Sequence, residues 1–79
     1  YPNPFNPMTV IRYSLNESGY TTLKVYDALG KEISVLVNED LKAGIYETEF
    51  DASQLPSAVY FYKLSSGNFT ETRKMFLLK

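Results

Sequence analysis

Apolar and polar residues alternate along most of this chain, and turn-forming clusters interrupt them about every eight to twelve residues. That spacing belongs to a small all-β sandwich and is too tight for βαβ units. From Thr9 to Leu15, Ile11, Tyr13 and Leu15 share one face against Val10, Arg12 and Ser14, which predicts a first strand. Asn16-Glu-Ser-Gly19 is a turn, and a second strand follows from Tyr20 to Tyr26, with Thr21, Leu23 and Val25 inward and Thr22, Lys24 and Tyr26 outward. Asp27-Ala-Leu-Gly30 supplies an Asx-type start and a glycine free to take positive φ, so a third strand, Glu32 to Val37, is expected to fold back as a hairpin partner. Ile33 and Val35 alternate there but Leu36 breaks step, the mark of a bulge or of a strand covered on both sides.

Asn38-Glu-Asp-Leu-Lys-Ala-Gly44 reads as the longest polar interruption, releasing the chain into a fourth strand from Ile45 to Asp51. Tyr46, Thr48 and Phe50 occupy one of its faces, and Glu47, Glu49 and Asp51 the other. Leu55-Pro-Ser-Ala-Val-Tyr60 resembles a tyrosine corner, in which a tyrosine hydroxyl bonds the backbone a few residues upstream and secures a Greek-key crossover. The expected fold is therefore an immunoglobulin-like antiparallel β-sandwich of about six or seven strands. A fifth strand runs through Leu64, with Tyr60, Tyr62 and Leu64 on one side and Val59 and Phe61 on the other, the pattern of a central strand or a covered face. Ser65-Ser-Gly-Asn68 turns it into a final hairpin strand from Phe69.

In that last strand Met75 and Leu77 point one way and Phe76 and Leu78 the other, so both sides are expected to need cover. The pattern persists to Lys79, where chains normally fray. Tyr1-Pro-Asn-Pro-Phe-Asn-Pro7 behaves differently. Its prolines forbid ladder bonds and favour an extended lead-in arm or linker over residues 1–7, ahead of a single sandwich domain over residues 8–79. With no initiator Met and no charged-then-apolar leader, Tyr1 reads as the start of an excised piece.

Composition narrows the function. At 79 residues the core must offset about 100 kcal/mol of conformational entropy without help from cysteine, which is absent. Histidine is absent too, removing the commonest metal ligand and general base. A net charge of −1 lacks the basic excess of a nucleic-acid or anionic-membrane binder, and no apolar run is long enough to span a bilayer. No serine sits in a G-x-S-x-G or S-x-x-K setting and no glycine-rich phosphate loop occurs, so no enzyme, cofactor or metal site is expected. The carboxylates of Glu47, Glu49 and Asp51 invite a calcium or acid-base reading, but alternate strand positions without an oxygen-rich loop are a solvated face. Asn16-Glu-Ser18 and Asn68-Phe-Thr70 match the N-glycosylation triplet at predicted turns, a pattern frequent by chance. The seven tyrosines lie mostly at inward positions, where they serve packing; Tyr20 and Tyr26 are the two placed for stacking on sugars.

Several blocks carry a family likeness. Tyr1-Pro-Asn-Pro-Phe-Asn-Pro7, Val25-Tyr-Asp-Ala-Leu-Gly30, Ala43-Gly44, Phe50-Asp-Ala52 continuing to Leu55-Pro-Ser57, Val59-Tyr-Phe-Tyr62 and the stretch from Lys74 to Lys79 resemble the C-terminal sorting domain of type IX secretion. The likeness spans the chain and overlaps with the immunoglobulin-like module related to the flagellar hook-capping protein. It implies a secreted or surface-attached protein of the Bacteroidetes and their relatives. The cargo is expected to precede the module, to reach the outer-membrane translocon through the periplasm, and often to lose the module to a sortase-like surface protease, sometimes with transfer to lipopolysaccharide.

Within the family the positions of Gly44, Tyr60 and the terminal strand carry the signature, and Asp27 and Gly30 belong to one of its blocks. Where the family usually has glycine, this chain has Ala58, which is strained if the backbone needs positive φ and stabilising if it does not. A terminal or edge strand can be read by β-augmentation, which nominates Lys74, Met75, Leu77 and Lys79 as translocon-facing residues, with the terminal carboxylate in a backbone nest. The competing reading makes Met75 and Leu77 core residues and the lysines edge guards. Two alternatives to sorting remain: a structural immunoglobulin-like accessory, and a carbohydrate-binding module with a row of exposed aromatics on one sheet face.

Overall fold

The computed structural model describes residues 8–78, so the lead-in arm over residues 1–7 and the terminal Lys79 lie outside the described residues. Six antiparallel strands follow one another: β1 (Met8–Leu15), β2 (Gly19–Tyr26), β3 (Glu32–Leu41), β4 (Gly44–Asp51), β5 (Ala58–Ser66) and β6 (Phe69–Leu77). They form two sheets, β1-β4 and β3-β2-β5-β6, which stack as the all-β, immunoglobulin-like sandwich that the alternation predicts.

Alternation decides which side chains meet between the layers. Ile11 and Leu15 of β1 and Phe50 of β4 point down onto Leu23 and Val25 of β2 and Tyr60 and Leu64 of β5, all buried. The β2–β5 ladder sets Leu23 directly opposite Leu64, Val25 opposite Tyr62 and Thr21 opposite Ser66. Thr21 is fully buried, and its hydroxyl lies 3.0 Å from the Ser66 hydroxyl and 3.1 Å from the Gly19 carbonyl, so this polar group is satisfied inside the core.

The third strand departs from the simple pattern in two ways. Leu23 pairs with Val37 but Lys24 with Val35, and Val25 pairs with Ser34 but Tyr26 with Glu32, so Leu36 and Ile33 are each skipped. Three positions apart, these two side chains would face opposite ways on a regular strand; the two bulges let both pack against the core while Val35 is left 45% exposed. The bulge alternative is thus the one realised, with Leu36 rather than Val35 turned inward. Second, Asn38 to Leu41 are strand and not loop, pairing with Thr22 to Gly19, so the connection to β4 shrinks to Lys42-Ala43. Their polarity reflects a solvated edge: backbone pairing needs no apolar side chain there, and only Leu41 of the four packs on the core.

The hairpin closing the chain places Ser66 opposite Phe69 across Gly67-Asn68, so Ser65 and Ser66 belong to β5. With φ of +59° at Gly67 and no positive φ at Asn68, the turn is of type II′. Before β5, the Tyr60 hydroxyl donates to the Pro56 carbonyl at 2.8 Å, four residues back, while its ring is buried at 3% exposure. This is the corner geometry, and it fixes how the loop from β4 turns into the large sheet. Tyr60→Phe is expected to lower stability by about 1 kcal/mol, read as a reduced urea midpoint at unchanged slope, because it removes one bond and strands a carbonyl without creating a cavity.

Candidate functional site

Two features of the sheet order put the terminal strand on display. Among the described residues β6 pairs with β5 alone, so its other edge offers unpaired backbone groups. The second layer has two strands above a sheet of four, with β4 lying towards β3, so the inner side of β6 is thinly covered. A groove of about 820 Å³ runs there, lined among others by Leu15, Tyr62, Leu64, Phe69, Glu71 and Arg73.

The β5–β6 register assigns each nominated residue a place. Lys74 lies opposite Phe61 and is exposed on the outer face of the large sheet. Met75 lies opposite Tyr60 and Leu77 opposite Ala58, both on the inner face, half-buried and packed against the core. Lys79 is outside the described residues. On the outer face Phe76, opposite Val59, is 68% exposed, and Leu78 just beyond the strand is 80% exposed. The expectation of cover on both sides therefore fails for Phe76 and Leu78: a sandwich has one interior, and the outer side of an edge strand faces solvent.

That outer face has a composition of its own. Tyr26 of β2 stands opposite Phe61, Phe61 opposite Lys74, and Lys24 opposite Lys63. Lys24 approaches Glu32 at 3.4 Å, whereas Lys63 and Lys74 make no ion pair among the described residues. The far side of the sandwich is acidic. Glu47, Glu49 and Asp51 are exposed on β4, and across the ladder Glu47 meets Arg12, whose Nε donates to Oε2 at 2.9 Å. Among the described residues no group of three or more carboxylates is gathered closely enough to hold a metal ion. The sequence pattern did not bring Phe61, Lys63 and Phe76 together with Lys74; only the register shows them as neighbours.

The positions expected to carry the signature serve local geometry. Asp27 Oδ1 accepts from the amides of Leu29 and Lys31, both at 2.9 Å, and the Asp27 carbonyl accepts from Gly30 at 3.0 Å, with Gly30 at φ +89°. Gly44 has φ of +156°; a Cβ there would meet the Tyr46 ring at an ordinary 3.8 Å, so conformation and not space calls for glycine. Tyr46 itself donates its hydroxyl to the Lys42 carbonyl at 2.5 Å and stacks on Tyr13 with ring centroids 5.6 Å apart. Of the tyrosines suited to sugar stacking, Tyr20 is exposed and donates to Asn38 Oδ1 at 2.6 Å, and Tyr26 is half-buried beside Phe61. Asn16 and Asn68 lie exposed in turns.

The family model described as the secretion system C-terminal sorting domain matches residues 1–78. The chain belongs to this type IX secretion sorting-domain family. No curated protein and no solved structure matches it. As a type IX sorting signal, the sorting domain marks a secreted or cell-surface protein, joins an N-terminal cargo to the secretion system, and is of a kind that is generally non-catalytic.

Ala58, at the position where the resemblance led to the expectation of glycine, can now be weighed. Among the described residues no non-glycine residue has positive φ, so Ala58 at the start of β5 is unstrained. Ala58→Gly is expected to lower stability by about 0.5–1 kcal/mol in thermal or urea unfolding, through the greater freedom of the unfolded chain, and to leave the sheet register unchanged.

Proposed function

We propose that the type IX outer-membrane translocon reads this module as a folded unit after the cargo has crossed the periplasm, and that surface processing machinery then removes it or uses it for attachment. Lys74, Met75 and Leu77 of the terminal strand, together with Lys79, form part of the recognised surface. The match to the sorting-domain family over residues 1–78 carries this reading. It is supported by a sandwich in which β6, among the described residues, is an edge strand with one side unpaired, since an edge strand can be extended by a receptor. Recognition of shape also suits a chain without histidine or cysteine.

The export of a reporter fused ahead of this chain in a type IX host tests the reading. The intact fusion is expected at the cell surface and a reporter without the module in the periplasm. Leu23→Asp, which places a charge at a fully buried position and unfolds the sandwich, is expected to hold the fusion back as well. Surface display of the Leu23→Asp fusion would contradict recognition of a folded module.

A further inference from the structure

The edge of β6 that is unpaired among the described residues is guarded along one half and open along the other. Glu71, Thr72, Arg73 and Lys74 carry charge or hydroxyl groups, with the Glu71 carboxylate held by Arg73 at 2.8 Å, and such residues blunt an edge against adventitious pairing. Met75, Phe76 and Leu77 have no such device, being apolar on both faces with Phe76 mostly exposed. An unguarded apolar edge is an aggregation liability unless something is meant to cover it. On the outer face beside it stand Phe61, Val59 and two cations, Lys63 and Lys74, that have no carboxylate partner among the described residues.

We propose that this half-edge and the adjoining outer face are the docking site for an extended acidic-apolar segment of the partner protein, added as a fifth strand beside β6. The inference rests on the sorting reading and specifies its contact. Cross-strand neighbours on one face sit about 5 Å apart, so the residues of the added strand lie beside those of β6 in turn. The segment carries apolar side chains beside Phe76 on the outer face and beside Met75 and Leu77 on the inner face. Next to Lys74 it carries a carboxylate, which Lys63 also attracts from the neighbouring strand. Charge and geometry favour a polypeptide over a glycan or a lipid surface: the backbone edge unpaired among the described residues offers hydrogen bonds that only another strand matches along its length, and Lys74 lies on that edge with Lys63 one strand in. A second copy of this chain is a poorer occupant, because its own carboxylate face, Glu47, Glu49 and Asp51, belongs to the opposite sheet and not to β6.

The test measures binding of the reporter fusion to detergent-solubilised type IX translocon. Phe76→Thr and Lys74→Glu lie at exposed positions and are expected to retain the native unfolding transition while weakening binding about thirtyfold each, the loss that removal of an interface anchor brings. Ile45→Thr, at an equally exposed apolar position on β4, is expected to bind as the parent does. A photo-crosslinking amino acid in place of Phe76 is expected to capture an acidic-apolar segment of a translocon subunit. If the parent binds and both β6 variants bind equally well, or if the cross-link joins two copies of this chain, the docking inference is overturned and the sorting reading stands. Binding of the fusion to insoluble polysaccharide or anionic vesicles that depends on Phe76 and Lys74, without binding to the translocon, overturns it in favour of those ligands. If the parent neither binds the translocon nor reaches the surface, the sorting reading itself fails.

Discussion

The sandwich is held together by the pairing of β2 with β5. Among the described residues this ladder alone joins the β2–β3 hairpin to the β5–β6 hairpin, and its inward positions, Thr21–Ser66, Leu23–Leu64 and Val25–Tyr62, floor the core. Local turns make each hairpin cheap to form, whereas this pairing closes a long loop and must be rewarded by burial. With no disulfide possible, the small apolar core above Leu23 and Leu64 supplies that reward. The β1–β4 layer contributes by covering it, and β6 gains its place by extending β5.

Turn chemistry then limits how the connections move. Tyr60 reaches back four residues to the Pro56 carbonyl and Tyr46 reaches back four to the Lys42 carbonyl, so two of the crossings between sheets are tied by the same device. Asp27 ties the β2–β3 turn with its carboxylate and its backbone. Each bond stabilises by about 1 kcal/mol, modest alone, yet each removes freedom where a small domain lacks core. Rigid crossings allow the terminal strand to present a fixed edge.

Strands were legible in the sequence wherever one face is buried and the other wet. β1, β2 and β4 alternate cleanly, β5 carries apolar side chains on both faces as a central strand, and the side chains grouped on one face with Ile11, Leu23, Phe50 and Tyr60 are the ones that pack. The pattern misleads on the edges. Asn38, Glu39 and Asp40 look like loop because their side chains are solvated, although their backbone is paired. Ile33 and Leu36 share the core only because two bulges shift the register, a matter of pairing that spacing cannot specify. The candidate site divides in the same way. Lys74, Met75 and Leu77 were nominated from alternation within one strand, while Phe61 and Lys63 join Lys74 and Phe76 through cross-strand register, which is a property of two strands at once.

Folding and recognition thus place opposite demands on β6. Its inner side chains, Met75 and Leu77, help close the core, and its outer ones remain available. A folded label can satisfy both only if it stays folded while being read. Hydrogen exchange of the module, free and bound to the translocon, measures this most directly. Protection of β2 and β5 amides should persist on binding, and the β6 amides not bonded to β5 should gain protection. Loss of protection across β2 and β5 in the bound state would show that the translocon takes an unfolded chain, and would contradict the account.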